Sequence, residues 1–148
     1  MIVAVDTREQ TPWVFPADVT TELATLRSGD YSVRGFEDRI AIERKSLDDL
    51  VGSITSGRER FVRELTRLAS FDFRCVIVEA NIDDIWARRY VSRAAPSSVV
   101  GSCAAFSIDF RVPFLFGGDA AKSADFALRL LRRWHANTVE QSAGQVSA

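Results

Sequence analysis

Short unbroken apolar runs alternate along the chain with stretches in which apolar residues recur every three or four positions. Ile2 to Val5 is a run of the first kind and ends in Asp6-Thr7-Arg8-Glu9, the pattern of a buried strand that delivers charges at its C-terminal end. Pro12 and Pro16, with Trp13 and Phe15 between them, predict an irregular, partly packed connection. Thr20 to Leu26 reads as one short helix with Leu23 and Leu26 inward, and Tyr31 to Val33 with Arg39 to Ile42 as a hairpin around Gly35. From Ser46 the period becomes helical. Leu47, Leu50, Val51 and Ile54 stand at i, i+3, i+4 and i+7, Ser46 is placed to cap, and Asp48 and Asp49 suit the first turn.

After the break at Ser56-Gly57, Phe61, Leu65, Leu68 and Ala69 continue a helical face with arginines opposite. Cys75 to Val78 predicts a fully buried strand ending in Glu79, and Ile82 to Arg89 a short helix. Val99, Cys103, Phe106 and Phe110 describe another helix, Val112 to Phe116 a last strand, and Ala120 to Ala136 a final helix. Residues 1–136 then form one domain, with 137–148 a small, polar, flexible tail. Apolar strands interleaved with helices predict an α/β fold, a mixed and largely buried sheet with helices on both faces.

Composition narrows the class without deciding it. The apolar share of 47% and charged share of 26% are those of an ordinary globular domain, and 19 basic against 20 acidic residues announce no polyanion binder. The cations are clustered, however: Arg58, Arg60, Arg63 and Arg67 form one group, Arg88, Arg89 and Arg93 a second, and Arg129, Arg132 and Arg133 a third. Cys75 and Cys103 lie in apolar surroundings and read as core residues of a reducing compartment. No apolar run approaches membrane-spanning length, and strand-like residues begin at Ile2, so a soluble, cytoplasmic protein without a signal peptide is expected. With one histidine, His135, a histidine-ligated metal site is not expected, and Gly117-Gly118-Asp119 reads as a turn capping the next helix.

The densest chemistry lies at Glu43-Arg44-Lys45, set directly after the β-prone Ile40-Ala41-Ile42. Side chains alternate across a strand, so Glu43 and Lys45 share a face while Arg44 points to the other. The hairpin brings Asp30 close. Asp6, Asp30 and Glu43 all fall at strand ends or beside the hairpin, and hard oxygen ligands of this kind suit Mg²⁺ or Mn²⁺. Lys45 would position a water or offset charge on a phosphorane-like transition state, and Arg8 and Arg44 would clamp phosphates or brace carboxylates. Any one of these residues alone reads as a solvated charge at a strand end.

Gly29-Asp30-Tyr31, followed by E-R-K-S-L-D-D-L-V-G-S-I-T-S-G-R from Glu43 to Arg58, resembles the nuclease domain of the XPF-type structure-specific endonucleases (the xeroderma pigmentosum group F family). Val5 to Glu9 and Val76 to Glu79 resemble that family's opening and later core strands, so the likeness runs from about residue 2 to residue 80. The resemblance implies a restriction-endonuclease-like mixed sheet, dependence on Mg²⁺ or Mn²⁺, and endonucleolytic cleavage of branched, flapped or forked DNA in repair or recombination. By match of motif, Asp6, Asp30 and Glu43 are the metal-side carboxylates, Lys45 is the catalytic lysine, and Arg8 and Arg44 support them. Asp49 fills the last motif position as a bracing residue, while Arg58, Arg60 and Arg63 become DNA-contact residues together with Tyr31, whose ring could equally pack inward. A homodimer is implied, with a non-catalytic DNA-binding or partner subunit as the alternative. The larger relatives' helix-hairpin-helix module is not expected in this chain, which resembles a stand-alone bacterial or phage version.

Overall fold

A computed structural model describes residues 1–146. Its centre is a six-stranded sheet built from β1 (Val3–Asp6), β2 (Thr21–Ala24), β3 (Tyr31–Val33), β4 (Ile40–Ser46), β5 (Phe73–Glu79) and β6 (Phe114–Phe116), in the order β2-β1-β3-β4-β5-β6. β1 pairs with β2 in parallel and with β3 antiparallel, β3 and β4 form the expected hairpin, and β4, β5 and β6 run parallel. The helices are α1 (Leu47–Ile54), α2 (Arg58–Leu68), α3 (Ile82–Trp86), α4 (Pro96–Asp109) and α5 (Ala120–Val146). α1 and α2 cross from β4 to β5, and α3 and α4 from β5 to β6.

Strand parity sorts the core into two layers. Ala41, Val76 and Val78 pack with Leu50, Val51, Phe61, Leu65, Val99 and Phe106 from α1, α2 and α4. Ile40, Ile42, Cys75 and Ile77 face the other way, onto Ala127, Leu128 and Leu131 of α5. β4 and β5 are therefore covered on both sides, and an unbroken apolar run is what that position demands. Burial pushes the thiols of Cys75 and Cys103 up to about 12 and about 11, which keeps both protonated and inert.

Several boundaries differ from the sequence expectation. Thr21–Ala24 is an edge strand rather than part of a helix; Leu23 is 70% exposed while Leu26 is buried. With one partner strand and little surface to bury, the short segment gains more from backbone pairing with β1 than from one unpacked helical turn. α3 stops at Trp86, and Arg88 takes a left-handed conformation with φ of 54°. The last strand begins at Phe114, after Pro113, whose carbonyl accepts from the Val76 N–H. α5 continues through Val146 instead of ending at Ala136, and Thr138 is buried along it. The final two positions of the expected tail, 147 and 148, lie outside the described residues. Among the described residues no helix is long and apolar enough to cross a membrane.

Candidate active site

Because β1, β4 and β5 run the same way and β3 runs against them, Asp6, the end of β4, Glu79 and the residue before β3 gather at one edge of the sheet. That residue is Asp30. Gly29 makes the placement possible: its φ is +78°, and a Cβ there would sit 3.1 Å from the Ala41 Cβ and 3.1 Å from the Ile42 carbonyl oxygen. The Asp30 N–H donates to the Ile42 carbonyl at 2.8 Å, and Asp30 Oδ2 accepts from the Arg44 N–H at 2.8 Å. Gly29→Ala should therefore cost about 1–3 kcal/mol from the strained φ and the close contact. A Tm lowered by several degrees in a thermal melt is the expected outcome.

On the α1–α2 face of β4, Lys45 Nζ lies 2.9 Å from Glu43 Oε1, with the ammonium 5.3 Å from the Phe61 ring centroid. Glu43 is 4% exposed, and its buried carboxyl is raised well above the ordinary range, first by burial and then by the charge of Asp30. Burial likewise raises Asp30 to about 6, with Glu9 and Glu64 adding to it against the Arg44 N–H and Lys45. Burial alone would lower the Lys45 ammonium, but Glu43 beside it outweighs that and raises it. Lys45 thus holds its proton beside Glu43. It forms part of the wall of an open cleft of about 1010 Å³, together with Arg8, Asp48, Asp49, Arg60 and Glu64.

The opposite face of β4 holds a different set. Arg44 donates through Nε to Glu79 at 2.8 Å, and through one terminal nitrogen to Glu9 at 3.0 Å and to the Thr11 carbonyl at 2.6 Å. Trp13 Nε1 donates to the same Glu79 oxygen at 2.6 Å, and the Arg44 guanidinium lies over the Trp13 ring at 5.3 Å. Arg44 therefore ties the Glu9–Trp13 connection to β4 and β5, and only its backbone N–H touches the carboxylate pair.

The remaining expected residues divide. Asp6 is fully buried, and four donors fill its carboxylate: Arg8 N and Nε on Oδ1, a terminal Arg8 nitrogen and the Leu26 N–H on Oδ2. Burial alone would raise Asp6, yet these hydrogen bonds hold it below the usual carboxylate value. The structure thus sets Asp6 next to Asp30, to whose carbonyl its N–H donates at 2.9 Å, but spends the carboxylate expected on the metal side in a clamp on the chain after β2. Tyr31 is a correction as well. It is wholly buried, stacked on Trp13 at 4.4 Å, accepting from the Trp13 N–H at 2.7 Å and donating to Glu9 at 3.2 Å, so it cannot reach DNA. Asp49 stands on the cleft wall with its N–H on the Ser46 hydroxyl at 3.1 Å. Arg60 faces the cleft, Arg63 pairs with Glu59 at 3.3 Å, and Arg58 turns back to Ile54, Ser102 and the Phe106 ring.

Sequence reasoning missed Glu64, whose charge acts on Asp30, Glu43, Lys45 and Arg8 from across the cleft. The available signal was its position, three residues after the inward Phe61 and one before Leu65, at the margin of the buried stripe of α2. Glu79, Glu9 and Trp13 were missed as partners of Arg44. No local pattern joins side chains so far apart in sequence.

Comparison with known proteins agrees with this architecture. The model of the ERCC4 domain matches residues 5–130. The 3′-flap repair endonuclease Xpf of Saccharolobus solfataricus is 26% identical over 117 residues, 78% of this chain and 46% of that one. A Methanocaldococcus jannaschii protein provisionally named an ATP-dependent RNA helicase is 29% identical over 112 residues, 76% of this chain and 13% of that one. The solved structure of XPF from Aeropyrum pernix superposes with a TM-score of 0.72 at 27% identity, covering 89% of this chain and 60% of that one. The same protein in complex with DNA gives 0.70 at 27% identity, covering 92% and 65%. The chain spans less than half of either curated relative. With its mixed sheet, its G-D hairpin and its E-R-K strand end in one place, the chain belongs to the ERCC4-domain family, that of the XPF-type nucleases, and has their restriction-endonuclease-like α/β fold.

Proposed function

We propose that this chain is a divalent-metal-dependent endonuclease that hydrolyses DNA phosphodiester bonds at branched, flapped or forked structures, in repair or recombination. One observation carries the reading: the half-buried Asp30 and the buried Glu43 act on one another at the sheet edge behind a lysine that faces an open polar cleft. Two like charges crowded into a partly buried place are costly unless a cation neutralises them, and burial with repulsion from neighbouring carboxylates raises both carboxyls. Among the described residues no three His, Cys, Asp or Glu side chains are grouped to hold a metal by themselves. Two hard carboxylates nevertheless match what Mg²⁺ or Mn²⁺ takes when it keeps waters and shares phosphate oxygens. Asp30 and Glu43 would hold the ion, which when bound polarises the phosphate and acidifies a water.

The chain's own residues supply the rest. Gly29 and the Arg44 N–H fix Asp30, and Lys45 keeps a positive charge beside Glu43 where negative charge grows on the scissile phosphate. Asp6 with Arg8 and the Arg44 network hold the two segments that frame the cleft. Arg60 and Asp49 line its wall. The likeness to a DNA-bound XPF and to a 3′-flap endonuclease supports DNA and branched substrates. Labelled 3′-flap, fork, splayed-arm and blunt duplex substrates compared at equal concentration with Mg²⁺ or Mn²⁺ test the choice. Cutting confined to the junction-bearing substrates is expected; equal cutting of blunt duplex would overturn the branched specificity.

A homodimer belongs to the same reading. α4 leaves Ile108 79% exposed, and a small apolar groove of about 200 Å³ lies between Ile82, Val100, Phe114 and Phe116. Light scattering at micromolar protein should return twice the chain mass, and a monomer at that concentration would contradict it.

A further inference from the structure

The second arginine cluster lies on the loop between α3 and α4, residues 87–95, and nothing in the catalytic reading uses it. That loop is built, not slack. Tyr90 plugs into the core beside Ile85 and Val99 and donates to the Ala94 carbonyl at 2.8 Å, and the Ala94 N–H donates to the Ser92 hydroxyl at 3.1 Å. The Val91 N–H donates to Asp48 Oδ1 at 2.8 Å, and Asp48 is a wall of the catalytic cleft. The loop tip is therefore moored to the cleft rim.

What the mooring presents outward is cationic. Arg89 is consumed by Asp84 at 2.6 Å. Arg88 and Arg93 are exposed and make no side-chain hydrogen bond or ion pair among the described residues, and Val91 between them is 91% exposed. Arg88 also holds a φ of 54°, a conformation that glycine or asparagine adopts at less cost than arginine. A long cation kept at a strained position, unpaired and beside an apolar tip, is poor material for stability alone.

We infer that the α3–α4 loop is a second DNA-contact element, in which Arg88 and Arg93 take backbone phosphates of the duplex arm that flanks the cleft. The inference rests on the reading of the cleft as a DNA-cleaving site. Two unpaired guanidiniums suit phosphate oxygens, and Val91 suits the sugar edge between them. Such a rim contact would give the domain duplex grip from its own surface.

Binding is measured by fluorescence anisotropy on a labelled fork in EDTA, across a range of NaCl concentrations. The double variant Arg88→Asn/Arg93→Gln keeps the left-handed turn at less strain and should melt at or slightly above the wild-type Tm. It should bind about tenfold more weakly near 0.1 M salt, and its plot of log K against log salt should flatten by about 2, one counterion released per lost phosphate contact. At saturating DNA, cleavage should stay within about twofold of wild type, since the loop holds the arm and not the reacting atoms. Arg132→Gln/Arg133→Gln on α5, across the sheet, removes equal charge and should change affinity less than about twofold. Arg88→Lys/Arg93→Lys should restore most of the binding. Unchanged affinity and salt slope in the loop variant, or an equal loss in the α5 control, would overturn the inference while leaving a cutting wild type intact. Loop-dependent binding by a wild type that cuts with neither Mg²⁺ nor Mn²⁺ would uphold the loop and sink the nuclease reading.

Discussion

Asp30→Asn should abolish cleavage and stabilise the metal-free protein at once. Activity should fall by about 10³-fold or more, because a ligand carboxylate beside the scissile phosphate is lost. The amide keeps the oxygen that accepts the Arg44 N–H, so the hairpin stays in place. The stability gain follows from the sign of the shift. Asp30 is raised from 3.8 to about 6, mainly by burial. A raised carboxyl contributes its full stability below the unfolded value, and that contribution is lost as pH rises through the folded value. In EDTA the variant should thus melt a few degrees above wild type at pH 7.5, with the gap closing toward pH 4. Mg²⁺ or Mn²⁺ should raise the Tm of wild type and leave the variant unmoved. A variant less stable than wild type at pH 7.5 in EDTA would mean that the Asp30 carboxylate holds the fold together instead of straining it.

Arg44→Ala should show the reverse split, with stability falling and chemistry largely kept. The guanidinium satisfies Glu79 and Glu9 at 2.8 and 3.0 Å and holds the Thr11 carbonyl, and its side chain is only 20% exposed. Removing it leaves two half-buried carboxylates uncompensated, which costs about 2–4 kcal/mol once partial solvent screening is allowed for. For a chain of this size that lowers Tm by about 5–15 °C. The contact with Asp30 is made by the backbone N–H and survives substitution. Well below the variant's Tm, single-turnover cleavage should stay within about tenfold of wild type. Arg44→Lys should recover part of the Tm but not the forked contact to two carboxylates. A loss of catalysis as deep as that of Asp30→Asn, in a variant that melts normally, would place the Arg44 guanidinium on the substrate.

The second outcome comes from strand parity, the part of the site that local sequence carried best. Glu43 and Lys45 share a face, and Arg44 takes the other, because residues two apart in a strand must. The Ser46 cap and the apolar stripe of α1 were legible for the same reason: each depends on residues a few positions apart. Long-range commitments were not. Tyr31 stands next to Asp30 and shares its motif, yet the sheet turns its ring inward onto Trp13. Asp6 has the chemistry of a ligand, but its donors come from Arg8 and from Leu26, twenty positions on. Glu64 reaches the carboxylate pair only through the packing of α2 over the end of β4. The edge strand at Thr21–Ala24 had no period to read, since both its faces are largely exposed and it is set by backbone pairing with β1.

Single-turnover nicking of a labelled forked DNA by wild type and by Glu43→Gln, side by side in Mn²⁺ and in EDTA, reaches the centre of the matter. Manganese-dependent nicking by wild type alone is the expected result. Equal nicking by Glu43→Gln, or nicking undiminished in EDTA, would contradict a metal-dependent site built on Asp30 and Glu43.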